Sequence, residues 1–443
     1  MDRITVRNYR CFGKKQTARL APLTLLVGEN STGKTSFLAL VRALWDVAAR
    51  EAIPNFKEYP YDLGTYREIA HDRGPTGSTA DSFEAGFSCE PGVMFHPINP
   101  SNNSLFFDVT FNEHEGAPFP VARRVGHGNA WVRVNQEATR DPVVTFGALD
   151  ESWSLPDQLV YVDRGEEIES FKALHWHVGR MCSESGNSDP QTSISNWLEV
   201  DRVLTYLLNM ETRRPFASAP VRSRPRRTYD PSRPARDPEG EYAPVYLDHV
   251  SRRNEEDWRR LQRRLETFGR ESGLYDKITM KSLGDDGGSP FQVQVTKHGR
   301  SETRTGPGRN LVDVGYGVSQ ALPILTELLR ADPPDLCLLQ QPEVHLHPSA
   351  QAALGTLFCS IAATSTQLMV ETHSDHLLDR VRMDVRDGKT DLKAEDVSVL
   401  FFEPGELDVT IHSLRLDQDG NVLDAPPTYR QFFMDEMERS IGL

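Results

Sequence analysis

The chain has 443 residues, of which 38% are hydrophobic and 26% are charged, and its formal net charge is −14 at pH 7. This length allows two or three domains with sizeable cores, and the composition is that of an ordinary globular protein. The acidic balance argues against a protein that coats nucleic acid, because such proteins are usually basic overall.

The sequence carries no signal for a membrane or for export. No run of 18 or more apolar residues occurs, so no membrane span is expected. The opening residues, MDRITVRNYRCF, lack the apolar stretch and the cleavage site of a signal peptide. The five cysteines form no CxxC pair, which argues against zinc and against a disulfide framework. We therefore predict a cytoplasmic protein.

The predicted elements of the first half of the chain surround a glycine-rich loop. An opening strand (3–12) and a more apolar strand (23–27) precede GENSTGKTS, and an amphipathic helix follows from Phe37. Short alternating apolar runs over 60–150 predict a β-rich subdomain, and 150–215 is expected to be mostly helical.

The second half of the chain alternates between predicted strands and helices. A Pro/Arg/Asp-rich loop is expected at 215–245, an amphipathic helix at 253–270 and a strand at 291–296. From residue 311 onward, a glycine turn with a helix is followed by two apolar strands, each with its own helix, and this alternation indicates a parallel sheet. The tail, 409–422, has a hairpin-like pattern, in which the DQD triplet is interpreted as a turn rather than a metal site.

The loop GENSTGKT, residues 28–35, fits the pattern GxxxxGK[ST] in full. Between a strand and a helix, the backbone N–H groups of such a loop bind phosphate oxygens, and the helix N-terminus adds a partial positive charge. Lys34 is predicted to reach the β- and γ-phosphates, and the Thr35 hydroxyl to ligate Mg²⁺. We therefore expect ATP and Mg²⁺ as cofactors. The residues predicted to bind them here are Asn30, Ser31, Thr32, Gly33, Lys34, Thr35 and Ser36.

Three further segments carry candidate site residues. The apolar run at 336–339 is expected to be a buried strand, and it ends at Gln340 and Gln341, with Glu343 shortly after. His373 follows the next predicted strand, and GYGVSQ opens a helix. Taken alone, a histidine at a strand end is usually a packed or capping residue, and a glycine turn with a serine is either a helix cap or an anion site.

In this order, the segments resemble the head domains of ABC-type ATPases in the SMC/RecF/OLD group. GYGVSQ, with Gly317 and Ser319, stands where that group has its signature motif, and LLQQPE stands at the Walker B strand. HLHPSAQ corresponds to the D-loop, His373 to the switch histidine, and ITVRNYRCF to the opening strand of SMC and RecF heads. The tail from Asp396 is similar to a short C-terminal domain of one bacterial branch, which includes Septu- and PARIS-like defence ATPase subunits.

The resemblance implies an α/β fold, a P-loop ABC-type ATPase head with a β-rich subdomain and an inserted, mostly helical region. It implies four parts. They are an N-terminal ATPase lobe (1–150), a helical insert with an Arg-rich loop (151–290), a C-terminal ATPase lobe (291–395) and a small tail domain (396–443). It also implies a homodimer, or a higher oligomer of dimers, in which the signature motif of one head closes over ATP bound to the other.

The acidic pair expected at the Walker B strand is absent. In these heads the first position orients Mg²⁺ and the second polarises the attacking water. Gln340 is, with Thr35, one of the two residues expected to bind the metal, but its side chain adds no negative charge to a cation site. Gln341 can hold a water molecule but cannot take its proton. Glu343 is the nearest acid, and it either turns toward the nucleotide or caps a helix. The catalytic set is thus predicted as Gln340, Gln341, Glu343 and His373, with slow hydrolysis.

A basic segment at 221–236 contains six arginines and one aspartate. One interpretation is a solvated loop whose arginines pair with acidic residues of the same protein. A second has one or two arginines reaching the nucleotide or the partner head. A third has the loop binding nucleic-acid phosphate or an acidic effector, through Arg222, Arg224, Arg226 and Arg227.

Three functions are compatible with these patterns. The chain continues for 70 residues after His373, too few for a fused nuclease domain, so any cleavage is expected from a separate protein. The first function is an ATPase subunit that controls a separate effector nuclease in a prokaryotic antiphage defence system. The alternatives are a RecF-like DNA-repair ATPase and a catalytically dead scaffold that binds nucleotide.

Overall fold

The computed structural model describes residues 1–50, 53–72, 74, 78–89, 105–127, 130–136, 143–148, 160–161, 214–233, 235–297 and 307–429. The chain forms two compact units. The first unit comprises Met1–Leu20, Glu29–Thr212 and Phe402–His412, and the second comprises Ala21–Gly28, Arg213–Phe401 and Ser413–Leu443. The division into four parts drawn from the sequence stays a prediction.

The strands of the described residues are, in chain order, β1 (Arg3–Arg7), β2 (Gln16–Arg19), β3 (Leu23–Gly28), β4 (Ser82–Cys89), β5 (Leu105–His114), β6 (Ala117–His127), β7 (Ala130–Asn135), β8 (Val143–Ala148), β9 (Val160–Tyr161), β10 (Phe216–Ser218), β11 (Lys277–Ser282), β12 (Phe291–Thr296), β13 (Arg309–Asn310), β14 (Leu336–Gln340), β15 (Gln367–Glu371), β16 (Val397–Pro404), β17 (Val409–Leu416) and β18 (Val422–Leu423).

The helices of the described residues are α1 (Lys34–Arg50), α2 (Tyr66–Ile69), α3 (Tyr242–Arg253), α4 (Glu255–Ser272), α5 (Tyr316–Leu329), α6 (Pro348–Ala362) and α7 (Asp375–Arg386), with short 3₁₀ turns at Leu311–Asp313 and Ala394–Asp396. None of these helices combines the length and the apolar character that crossing a lipid bilayer requires.

The first unit contains an antiparallel sheet with the strand order β2-β1-β4-β5-β6-β7-β8-β9. Residues along β5 alternate between buried and partly exposed, as expected for a sheet with one covered face. On that face the rings of Phe83 and Phe111 stack with their centroids 4.7 Å apart. These strands confirm the β-rich segment predicted within 60–150.

A second sheet has the strand order β10-β14-β15-β3-β16-β17-β18, and its first four strands belong to the second unit. The first four strands pair in parallel, with Leu338 opposite Met369 and Val370 opposite Leu25. Every residue of β3 and β14 is buried, which is typical of parallel strands covered on both faces. The parallel sheet and the α/β fold class predicted from the sequence are confirmed.

The segment 215–245, predicted as a loop, is partly wrong. It contains β10 near its start, and α3 begins at Tyr242 near its end. Three residues are too few to show a period of two, and β10 exists because the sheet pairs it with β14. Most of the predicted helical segment 150–215 lies outside the described residues, and β9 within it is a strand.

The tail forms the predicted hairpin, in which β17 and β18 pair antiparallel. The Asp417 side chain accepts hydrogen bonds from the backbone N–H groups of Asp419 (2.9 Å) and Asn421 (2.8 Å). A hydrogen bond from the Asn421 side chain, together with these two backbone bonds, lowers the pKa of Asp417. The carboxylate thus organises the turn, as interpreted from the sequence.

An aromatic cluster stabilises the first unit around the start of α1. Phe402 is fully buried, and its ring centroid lies 6.1 Å from that of Phe12 and 5.7 Å from that of Phe37. Offset and edge-to-face aromatic pairs at such separations contribute beyond their buried area. The cluster joins residues from three distant parts of the sequence and holds the N-terminal turn of α1 in place.

Phe402→Ala is therefore expected to lower the free energy of unfolding by about 3–5 kcal/mol, because it removes a ring from a filled core. Urea denaturation followed by circular dichroism measures the change. Leu407→Ala is the control, since Leu407 is 61% exposed and its truncation should change the stability by less than about 0.5 kcal/mol. Equal effects of the two substitutions would contradict a core role for Phe402.

Candidate functional site

The glycine-rich loop, residues 28–35, has a backbone that requires glycine at Gly33. Gly33 has φ +87°, in the left-handed region, and a Cβ there would overlap Cys11 Sγ and lie 3.0 Å from Phe12 Cζ. Ser31 is also left-handed, with φ 64°. Burial raises the pKa of the Cys11 thiol to about 11, so this neighbour of the loop is neutral. The backbone conformation of the loop therefore explains the glycine at position 33 of the GxxxxGK[ST] pattern.

Lys34, the predicted phosphate-binding lysine, is folded over this loop. Its side chain is only 3% exposed, and Nζ donates a hydrogen bond to the Glu29 carbonyl oxygen at 2.5 Å. The Thr32 hydroxyl donates to the same oxygen at 2.9 Å. A carbonyl that accepts from an ammonium can be replaced by a phosphate oxygen, which is the stronger acceptor. The loop therefore holds a cation ready for an anionic ligand.

The other residues predicted to bind nucleotide differ in their exposure. Asn30 and Ser31 are exposed, and Thr35 is half-buried in the first turn of α1. Ser36 is buried, and its backbone carbonyl accepts a hydrogen bond from the Tyr9 hydroxyl at 2.8 Å. Ser36 therefore also anchors α1 to the segment that follows β1.

The second unit brings Gln340 and Gln341 to the carboxyl end of β14. Gln340 is 3% exposed, and its backbone N–H donates to the Ser218 hydroxyl at 3.2 Å. Its side-chain Nε2 is buried and has no hydrogen-bond partner in the described part of the chain. Gln341 has φ 41°, a left-handed value that is costly for a residue with a Cβ. Such an outlier at a strand end is typical of a functional turn.

Glu343 and His373 are in direct contact. Glu343 is 7% exposed, and its Oε1 accepts a hydrogen bond from the His373 backbone N–H at 2.8 Å. The second oxygen, Oε2, is buried and makes no hydrogen bond within the described ranges. Burial raises the pKa of Glu343, while the N–H groups of His373 and of Glu343 itself, the Thr372 hydroxyl and the Arg222 charge counteract part of that rise. The His373 side chain is exposed.

The GYGVSQ segment forms the first turn of α5 and packs on the segment after β14. A Cβ on Gly317 would lie 3.1 Å from the His345 carbonyl oxygen, so the chains approach closely there. His345 itself is left-handed, with φ 68°, and its ring lies 6.0 Å from that of Tyr316. The Ser319 hydroxyl donates to the Tyr316 carbonyl at 2.9 Å, so it closes the first turn of its own helix.

The four arginines predicted to bind nucleic acid or a partner do not form one surface. Arg227 makes an ion pair with Asp313 at 2.6 Å, Arg226 pairs with Glu241, and Arg224 is exposed. These exposed pairs are weak. Arg222 is only 3% exposed, so its assignment to an exposed binding surface is wrong.

Arg222 instead belongs to the turn after β14. Its Nη2 donates to the Gln341 carbonyl at 3.4 Å. Burial lowers the pKa of the guanidinium to about 10, and the negative charge of Glu343 counteracts part of this fall. Its backbone is bound by the side chain of Gln320. Sequence analysis included Gln320 in GYGVSQ but gave it no role of its own. It lies 98 residues from Arg222, so no local pattern could have paired them.

The residues present fit Mg²⁺ only as part of a metal–nucleotide complex. No group of three or more His, Cys, Asp or Glu side chains that could hold a metal ion occurs in the described ranges. Thr35 and Gln340, the predicted metal residues, offer only neutral oxygens. Mg²⁺ at nucleotide sites is bound largely by phosphates and water with one or two protein oxygens, and neutral oxygens suit this mode better than a protein cage.

Glu343→Gln is expected to change how stability depends on pH. Because the pKa of Glu343 is raised above 4.5, the folded state keeps its proton at pH values where the unfolded state has lost it. The free energy of unfolding therefore falls as the pH rises from about 4.5 toward the folded pKa. Glutamine still accepts from His373 but does not titrate, so the variant should lack this fall and exceed the wild type near about pH 7.

Urea unfolding across this pH range measures the difference between the two proteins. Glu256→Gln is the matched control, because Glu256 is exposed on α4 and its removal should leave the pH dependence unchanged. A stability difference that is constant with pH would contradict the assigned burial of the Glu343 charge.

Comparison with known proteins gives one family and several structures. Residues 184–379 match the family profile described as "AAA domain, putative AbiEii toxin, Type IV TA system". The similar solved structures, each 10% identical, are an SMC head bound to the C-winged helix domain of ScpA (TM-score 0.44), the SMC head domain from Thermotoga maritima (0.38) and an SMC head domain with an extended coiled coil bound to the C-terminal domain of ScpA, derived from Pyrococcus furiosus (0.42). They cover 94%, 93% and 99% of this chain, and 98%, 98% and 99% of their own. No curated protein matches. The chain thus contains a segment similar to an AAA-type ATPase domain, which includes Ser319, Gln340, Glu343 and His373.

Proposed function

We propose that the protein binds ATP through the loop at 28–35. The observation that carries this proposal is the loop itself, in which left-handed Gly33 and buried Lys34 give the chain path and the cation that a phosphate group needs. Thr35 would hold Mg²⁺ together with the nucleotide phosphates and water. Gln340 is the residue of the second unit that the resemblance assigns to the metal. When bound, the metal would neutralise phosphate charge.

Hydrolysis is expected to be slow. General-base catalysis needs a group that takes a proton from water, and neither Gln340 nor Gln341 can do so. Glu343 carries the nearby carboxylate, with a buried Oε2 and a pKa raised by burial, properties that suit a base. However, its Oε1 is committed to the His373 backbone N–H. We infer that Glu343 mainly fixes the His373 turn.

ATP is expected to join two copies of the chain head to tail. Gly317 and Ser319 lie at the N-terminus of α5, where the N–H groups of the first helical turn favour an anion. In the head domains that the sequence resembles, this signature turn meets the nucleotide of a second head. Two-fold symmetry then gives two equivalent ATP sites and a closed dimer.

The biological role that we propose is control of a separate effector nuclease in a prokaryotic antiphage defence system. The matched family profile names an AbiEii toxin and a type IV toxin–antitoxin system, which supports a role of this general class. The RecF-like alternative gains no support from Arg222, because that arginine is buried. A slow ATPase that stays dimeric while ATP is bound would act as a timer for the effector.

Lys34→Ala is expected to weaken ATP binding by about 10–100-fold, since a hydrogen bond to a charged group contributes about 1.5–3 kcal/mol. Isothermal titration calorimetry measures the Kd, and light scattering measures ATP-dependent dimers, which should disappear. Lys15→Ala, at an exposed lysine of the same unit, should change neither quantity. Similar affinities of the wild type and Lys34→Ala for ATP would contradict the proposal.

Gln341→Glu is expected to raise the rate of ATP hydrolysis by about 10²-fold or more, because it supplies the missing base. Steady-state phosphate release from the purified chain measures kcat. The backbone conformation should be kept, since both side chains have similar steric demands. If instead the wild type hydrolyses ATP quickly and Glu343→Gln abolishes that activity, then Glu343 is the working base and the assignment of Gln341 is wrong.

A further inference from the structure

Arg222 lies where the chain leaves β10, at the same edge of the sheet as the Gln340–Gln341 turn. β10 pairs in parallel with β14, so Ser218 lies opposite Leu339 and its hydroxyl accepts from the Gln340 N–H. In a parallel pair both strands end at the same edge. The segment that follows Ser218 therefore emerges beside the turn.

The main chain of Arg222 is fixed to α5 by a pair of hydrogen bonds. Its N–H donates to Gln320 Oε1 at 3.3 Å, and its carbonyl accepts from Gln320 Nε2 at 3.3 Å. Gln320 is buried and directly follows Ser319 in the first turns of α5. A single amide side chain thus satisfies both backbone groups of Arg222. These two bonds link the Arg222 main chain directly to the N-terminal part of α5.

The side chain of Arg222 contacts the Gln340–Gln341 turn. Its Nη1 donates to the Ala219 carbonyl and its Nη2 to the Gln341 carbonyl, each at 3.4 Å. Gln341 also donates its N–H to the Glu371 carbonyl at 2.8 Å. Its left-handed φ of 41° persists only because surrounding contacts hold it. The guanidinium supplies one of those contacts.

Stability alone does not account for a guanidinium at this position. Its Nε is buried without a hydrogen-bond partner, and no ion pair of Arg222 occurs within the described residues. A buried charge that lacks an ion pair destabilises the folded state relative to an apolar side chain of similar size. Glu343 acts on it only through its field. A buried group of this kind calls for a functional explanation.

We propose that Arg222 is a positioning residue that couples the signature turn of α5 to the Gln341–Glu343 turn. This inference rests on the proposed ATP-dependent function. When ATP engages Gly317 and Ser319, Gln320 moves with the helix and shifts the Arg222 main chain. The guanidinium then moves the Gln341 carbonyl, which aligns the turn for hydrolysis. Nucleotide binding at the loop does not itself require Arg222.

Arg222→Met tests the coupling, with Arg224→Met as the matched control. Methionine keeps most of the side-chain length and removes the charge and the donors, and Arg224 belongs to the same segment but is exposed. Hydrogen–deuterium exchange is measured with and without ATP and Mg²⁺, in peptides covering 315–325 and 336–346. The same proteins are assayed for kcat and KM, and for ATP affinity by calorimetry.

In the wild type and in Arg224→Met, ATP should slow exchange in both peptides. In Arg222→Met, ATP should slow exchange in 315–325 but not in 336–346. The kcat should fall by about 10–100-fold, while KM stays within about threefold, because misplacement of a catalytic turn affects the rate more than binding. Gln320→Ala is a second variant that should uncouple the turn in the same way, and it serves if Arg222→Met does not fold.

Other outcomes overturn the proposal in distinguishable ways. ATP protection of both peptides in Arg222→Met and Gln320→Ala, with unchanged kcat, would show that the turn is positioned without Arg222. A joint loss of stability, ATP affinity and kcat would assign Arg222 a structural role only. Failure of the wild type to bind ATP in the calorimeter would remove the proposed function and this inference with it.

Discussion

The parallel pairing of β10, β14, β15 and β3 determines where four separate segments leave the sheet of the second unit. Because parallel strands end at one edge, the segments after Ser218, Gln340 and Glu371 emerge side by side. β3 reaches that edge at Gly28, from which the chain continues into the glycine-rich loop. β3 and β14 are buried along their whole length, and the polar side chains of Gln340 and Glu371 lie where β14 and β15 end at this edge.

This arrangement buries several polar groups at the strand ends, which destabilises the folded state. Gln340 Nε2, Glu343 Oε2 and Arg222 Nε all lack hydrogen-bond partners within the described residues. Each unsatisfied group is costly, and native proteins contain few of them. These three groups lie beside the left-handed backbone of Gln341, an arrangement typical of a site whose remaining partners come from a ligand, water or a different conformation.

Sequence analysis predicted the features that depend on residues close together in the sequence. Apolar runs predicted β14 and β15, and the spacing of Gly28, Gly33 and Lys34 predicted a loop whose backbone is now seen to need glycine. The alternation of strands and helices predicted a parallel sheet.

The features that sequence analysis missed depend on pairings between distant segments. β10 has three residues and no periodicity of its own, so its place beside β14 follows from the sheet rather than from its sequence. Without that strand, Arg222 was grouped with three neighbouring arginines by composition. Tertiary structure separates them, because only Arg222 lies close enough to the strand end to be buried against Gln320 and Gln341. Composition indicates the charge of a segment but not which of its charges are exposed.

The two glutamines and the buried arginine are best understood as parts of one electrostatic arrangement. An acidic pair at 340 and 341 would add two carboxylates to a strand end where Gln340, Glu343 and Arg222 are already buried, and each buried charge is costly unless it is paired. With glutamines there, the guanidinium binds the Gln341 carbonyl instead, and Glu343 alone balances its charge. A neutral strand end and a buried cation are therefore compatible with each other. The neutral glutamines keep the number of charges low at an edge of the sheet where Arg222 and Glu343 are already buried.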